Sequence, residues 1–177
     1  NCTHSYDNLL EENYSTTFSY RENLNNRSLR FEELIQQYDK ISYEDFKRIK
    51  YDQQYPKPIF CPFEVNGVFQ INASDYPDLE SLINIIQKWD RKANLSNLGS
   101  AQWSVYYKHL KKSVKKLNLN KELPIEDSIL IKSVSYTFDY LIKHFNKIEV
   151  LHSEFQKHVR GDEELGVPGL VDMIAAT

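Results

Sequence analysis

The stretch Ala101-Gln102-Trp103-Ser104-Val105-Tyr106-Tyr107-Lys108-His109-Leu110-Lys111-Lys112-Ser113-Val114-Lys115-Lys116-Leu117 decides the fold class. Trp103, Tyr107, Leu110 and Val114 recur at helical spacing and fall on one side of an α-helix. Lys108, Lys111, Lys112 and Lys115, extended by Lys116, form a basic stripe. One reading of that stripe is a surface for anions or nucleic acid. The plainer one is a solvated face opposite the apolar stripe, and the same periodicity satisfies it without further assumptions. No interleaved aromatic platform accompanies it in the sequence.

Working outward, the same period returns on both sides. Leu79, Leu82, Ile83, Ile86 and Trp89 share a face, with Ser74 or Asp75 as the expected cap, and Asp90 opens a polar loop to Gly99. Pro124 reads as a first-turn proline before Glu126 and Asp127, opening a helix through Phe145, and another helix is expected over Ile148–Val159. Upstream, Phe31, Leu34, Ile35 and Tyr38 form a core-facing stripe. Ser42-Tyr43-Glu44-Asp45 reads as an N-cap with an acidic first turn, ahead of a helix that would bury Phe46 and Ile49.

The remaining stretches punctuate these helices. Tyr55–Pro77 holds four of the six prolines and reads as a connector, with Val65, Val68 and Ile71 as one short strand or hairpin near residues 63–72. Three of the five glycines fall in Gly161–Gly169, an expected loop, and Leu170, Val171 and Ile174 read as a last helix cut short. The expectation is a mainly α chain: an irregular helical bundle or lobe over residues 29–177, preceded by an extended entry segment over residues 1–28. The Asn1 start and the interrupted last pattern set the further expectation that the chain is a piece of a larger protein.

Composition limits the function classes. The 177 residues carry 22 basic and 25 acidic side chains, a net charge of −3, which gives no basic excess for a nucleic-acid partner. An apolar content of 41%, with 12 Tyr and 9 Phe, excludes a disordered chain. No apolar run reaches the length of a membrane span. Cys2 and Cys61 match no zinc spacing, and His144, His152 and His158, eight and six residues apart, lack the i, i+4 pairing of a metal helix. His4 and His109 have no ligand types near them in sequence. The acidic pairs Glu32/Glu33 and Glu44/Asp45 and the run Asp162-Glu163-Glu164 suit helix starts and a loop. There is no phosphate loop and no Gly-x-Ser-x-Gly elbow.

Four segments, in order, carry a resemblance. They are Asn1-Cys2-Thr3-His4-Ser5; Asn26-Arg27-Ser28-Leu29-Arg30 leading into Phe31–Ile35, with Ile41–Phe46 and Tyr51-Asp52; Leu82 through Trp89-Asp90 and on to Ser96–Ala101; and His158-Val159-Arg160-Gly161-Asp162 through Val167-Pro168-Gly169. Together they span nearly the whole chain. The set resembles the β-chain of the penicillin acylase family, most of all its acyl-homoserine-lactone acylase branch.

That resemblance implies an N-terminal-nucleophile amidohydrolase, in which self-cleavage exposes a serine whose α-amine is its own general base. The serine would lie upstream of these residues. An oxyanion hole would combine a backbone N–H with an asparagine amide at the third position of the first segment, where this chain has Thr3. Three readings stand open: Thr3 substitutes, Asn1 takes over after a register change, or the protein is a weakened or altered member. Arg27 resembles the family arginine beside the catalytic asparagine; a helix-start arginine paired with Glu22 is the plain alternative. Trp89-Asp90 reads as structural, a buried indole with a loop-capping aspartate.

The resemblance further implies a small N-acyl substrate, the remainder of the acylase α and β chains as partners, and a periplasmic or secreted parent. No cofactor is expected within these residues, with calcium expected, if anywhere, elsewhere in the parent. The alternative class is a non-catalytic helical interaction module or an inactive family member.

Overall fold

The computed structural model describes residues 25–119 and 124–175. Among them are six α-helices, two 3-10 turns and one two-stranded hairpin, so the fold is mainly α. The helices are α1 (Asn26–Ile35), α2 (Tyr43–Lys50), α3 (Glu80–Lys88), α4 (Ser100–Lys116), α5 (Asp127–Phe145) and α6 (His152–Phe155). Strands β1 (Lys157–Arg160) and β2 (Glu163–Gly166) follow. Contacts divide the described chain into two units. One unit comprises residues 25–60 with 169–175; the other is Cys61–Pro168.

In the smaller unit, Asn26, Arg27 and Ser28, read with the entry segment, form the first turn of α1 instead. Asn25 caps that helix, its Oδ1 accepting from the Ser28 N–H at 2.8 Å. The residues α1 buries are the polar Asn26 and Ser28, whereas Phe31, Leu34, Ile35 and Tyr38 are only half-buried. Asn26 explains why. Its Nδ2 donates to Phe60 O and Asp172 Oδ2, and its Oδ1 accepts from the Phe60 N–H at 2.7 Å, so the first turn is held by a saturated amide.

Helix α2 is capped as expected. The Ser42 Oγ accepts from the Asp45 N–H, and the Asp45 carboxylate accepts from the Ser42 N–H and O–H. These bonds from Ser42, opposed by slight desolvation, hold the Asp45 pKa below its ordinary value. Ile49 is buried, but Phe46 is 52% exposed, so α2 buries one of its two expected anchors. The tail at 170–175 is a set of turns and not a helix: Gly169 (φ 92°) and Asp172 (φ 70°) put the backbone in the left-handed region that interrupts α-helix.

The larger unit is built on α4. Trp103 stacks with Phe69 (centroids 5.4 Å apart) and Tyr107 (6.2 Å) and meets Trp89 (5.5 Å) and Tyr106 (5.6 Å) at a tilt. Leu82, Ile83 and Ile86 of α3, Leu110 of α4 and Leu130, Val134 and Leu141 of α5 complete the core. The Lys108, Lys111, Lys112, Lys115 and Lys116 side chains are exposed, as the helical reading requires.

Four expectations are corrected here. The 63–72 stretch is no strand or hairpin but a 3-10 turn, Asn66–Phe69; Val65, Val68 and Ile71 are buried at spacings of three, which matches 3.0 residues per turn and not alternation. Neither Ser74 nor Asp75 caps α3, which starts after Leu79. Pro124 precedes the Glu126 cap of α5 and lies outside its first turn. The helix expected over 148–159 shrinks to α6, because Leu151 bridges to Leu98 and the His152 and Ser153 N–H groups bond Asn97 O and Leu95 O. The hairpin follows, with Arg160 opposite Glu163 and Gly161 (φ 61°) opening a two-residue loop.

Gly99 is the fixed point of the α3–α4 corner. Its φ of 109° suits glycine alone, and a Cβ there would stand 2.6 Å from Trp89 Cβ. Gly99→Ala is expected to destabilise the protein by about 2–4 kcal/mol through backbone strain and overpacking against the indole. Urea unfolding followed by tryptophan fluorescence measures it; an unchanged midpoint would contradict this packing.

Candidate functional site

The first turn of α1 is where the described chain places the one predicted site residue it contains. Asn1 and Thr3 lie outside the described residues, as does Glu22. Arg27 is half-buried, and its Nε donates to Met173 O at 2.9 Å. Its Nη atoms have no partner among the described residues. A planar guanidinium held by Nε presents two further nitrogens in a fixed plane, which suits an amide oxygen, a carboxylate or an oxyanion.

The surroundings of Arg27 are rigid for identifiable reasons. On one side is the Asn26 amide described above, whose N–H also donates to Asp172 Oδ2 at 2.9 Å. One turn on, Arg30 clasps Asp52 through two nitrogens, Nε to Oδ1 at 3.1 Å and Nη2 to Oδ2 at 3.0 Å, and reaches Gln54 Oε1 and Glu33 as well. Burial opposes the Arg30 charge, but Asp52 and Glu33 outweigh it and raise its pKa. The chain then closes by Ala175 N–H to Asp52 O at 3.0 Å. Asn26, Arg30 and Asp52 belong to the second resembling segment but have no role assigned there, and Asp172 belongs to none of the segments. Asp172 joins Asn26 across 146 residues, a separation that no spacing rule reaches.

Elsewhere a Ser–His pair and a cysteine bring nucleophilic side chains into surroundings that do not favour their chemistry. Ser100 Oγ lies 3.0 Å from His152 Nδ1, the geometry of a nucleophile and its base, but both residues are fully buried in the larger unit. Cys61 is a free thiol whose pKa burial pushes up, opposite to what nucleophilic cysteines need. Trp89-Asp90 is structural as expected: the indole Nε1 donates to Lys92 O at 2.7 Å, and Asp90 Oδ1 accepts from the Lys92 N–H and Asn97 Nδ2, both at 2.9 Å. Among the described residues, no three His, Cys, Asp or Glu side chains gather as a metal site, and no helix is long and apolar enough to cross a membrane.

His109 is a different case. Its Nδ1 is 3.0 Å from Ser133 Oγ, and that hydroxyl donates its own proton to Ile129 O at 3.0 Å. With that hydroxyl proton on Ile129 O, the ring nitrogen facing Ser133 is the donor; with it turned to the ring, Nδ1 accepts. Burial, then the Lys112 charge, lowers the His109 pKa from its ordinary 6.5.

The unfolded chain thus takes up a proton near pH 6.5 that the folded chain refuses, so stability falls as pH drops below that value and levels off below the folded pKa. Stability measured in urea between pH 8 and pH 5 should fall more steeply for the native protein than for His109→Asn. Parallel curves would refute the assignment.

Comparison of the chain with protein-family models, with curated proteins and with solved structures finds no match.

Proposed function

We propose that this chain is the helical part of an amidohydrolase of the penicillin-acylase type, acting on a small N-acylated substrate. In that reaction a serine Oγ from outside these residues attacks the amide carbonyl while its α-amine takes the hydroxyl proton. The proton then passes to the leaving amine as the C–N bond breaks, and water hydrolyses the acyl-enzyme. Arg27 is the residue of the described chain closest to that chemistry. Its role is to hold the side chain that donates to the oxyanion.

The observation that carries the reading is the half-satisfied Arg27 guanidinium. Nε is tied to Met173 O, and the rest of the fork is unclaimed among the described residues. A purely structural arginine in this unit looks like Arg30, which spends Nε and both Nη atoms on side-chain acceptors. The order of the four resembling segments supports the same reading. In the parent, the remaining α and β chains would supply the nucleophile and the acyl pocket. Periplasmic export and a calcium site outside these residues belong to the same proposal.

Thr3 supports a second reading, an inactive member that retains the fold as an interaction module. A hydroxyl offers one donor and a shorter reach than an amide, and losing an oxyanion donor costs about 10²–10³ in turnover.

Acid release from a panel of acyl-homoserine lactones and phenylacetyl amides by the full-length protein separates the two. Arg27→Gln should lower kcat/KM by about 10–100-fold with self-cleavage intact, and Arg27→Lys should recover part of it. Unchanged kinetics in a folded Arg27→Gln protein would remove Arg27 from the site. A full-length protein that releases no acid from any member of the panel would favour the interaction module.

A further inference from the structure

A groove of about 300 Å³ lies on the larger unit, lined by Val105, Lys108, His109 and Lys112 of α4, Tyr136 and Tyr140 of α5, and Phe155 of α6. Beside the basic stripe the fold adds aromatic residues from α5 and α6. Lys108 and Lys112 are one helical turn apart and both exposed. Neither ammonium has an acidic partner among the described residues. No carboxylate lines the groove.

Opposite the lysines, aromatic rings run along α5. His109 stacks on Tyr136 at 4.2 Å between centroids, and the series continues through Tyr140 to His144. Tyr136 is 44% exposed, so an aromatic face stands open beside the two lysines. On the third side, Lys108 Nζ lies 5.9 Å from the Phe155 ring centre. His109 cannot swing away, because Ser133 holds its Nδ1.

We propose that this groove binds a small aromatic phosphate, its ring against the tyrosines of α5 and its phosphate between Lys108 and Lys112. Two unpaired ammonium groups match the near-double charge of a phosphate monoester at neutral pH better than a single carboxylate. The volume is at the lower end for small-molecule sites and takes one ring with one anionic head, not a length of polymer. This binding is independent of amide hydrolysis, so its failure leaves the acylase reading untouched.

The test is titration calorimetry of the whole protein with phenyl phosphate and 4-nitrophenyl phosphate, beside phenol and inorganic phosphate as the separated halves. A single-stranded oligonucleotide distinguishes a free ligand from a polymer. Saturable binding of the aromatic phosphates, tighter than either half, is expected. Lys108→Gln with Lys112→Gln should weaken it by about tenfold or more, and Tyr140→Leu by a few-fold.

Lys115→Gln with Lys116→Gln removes the same charge from the same helix and should leave affinity within about twofold, with thermal melts showing each variant folded. Equal loss in both double variants, inorganic phosphate binding as well as the aromatic phosphates, an oligonucleotide binding more than tenfold tighter, or no binding at millimolar ligand would each overturn the proposal.

Discussion

Four aromatic rings close around the Trp103 indole, and the larger unit depends on that contact. Phe69, Trp89, Tyr106 and Tyr107 come from the 3-10 turn, the end of α3 and α4 itself, so one side chain fastens three elements. The approach of Trp89 is possible only because Gly99 has no Cβ, and the positive φ at Gly99 also turns the chain into α4. Gln102 extends the same corner. Its Oε1 accepts from the Gly99 N–H, and its Nε2 donates to Ile148 O and Val150 O, which draws the segment before α6 onto the start of α4. A buried amide with all its bonds made fixes register in a way that an apolar residue of the same size would not.

The smaller unit rests on a different kind of interaction. Its fixed points are polar: the Asn26 amide between Phe60 and Asp172, and the two-pronged Arg30–Asp52 pair. Both partners of that pair are 16% exposed at the side chain, so the pair is sheltered enough to orient α1. Groups that are paired this completely hold their neighbours in place, and Arg27 sits between them in sequence. The stiffness of this first turn gives the unclaimed part of the Arg27 guanidinium a direction.

Helix existence was legible because long apolar stripes at a period of 3.6 leave no competing reading. The stretch at Trp103–Val114 is the clearest case, and α3 and α5 follow it. Boundaries and short elements were less so. Val65, Val68 and Ile71 fit the expected strand poorly: Val68 lies in the 3-10 turn Asn66–Phe69, Val65 and Ile71 flank it, and a spacing of three is not the alternation of a strand. The Arg160-Gly161-Asp162-Glu163 hairpin carried its signal in the glycine, which was read as part of a loop. At Phe46, helical spacing identifies a face, but whether that face is covered depends on residues far away in sequence. The same applies to the candidate site. Arg27 came from a motif, whereas its Met173 partner and the Asn26–Asp172 contact, 146 residues apart, emerge only when the chain folds.

The two proposals ask different things of the molecule: the groove, a ligand without chemistry, and the α1 turn, chemistry with most of its groups supplied from elsewhere. The second is the central claim. Intact mass spectrometry of the full-length protein, expressed without added protease, tests it most directly. The account predicts one precursor giving two chains, with the chain that contains Arg27 beginning at a serine and gaining the mass of an acyl group from a slow-turnover N-acyl substrate. A precursor that stays as one chain and never carries the acyl mass would contradict it.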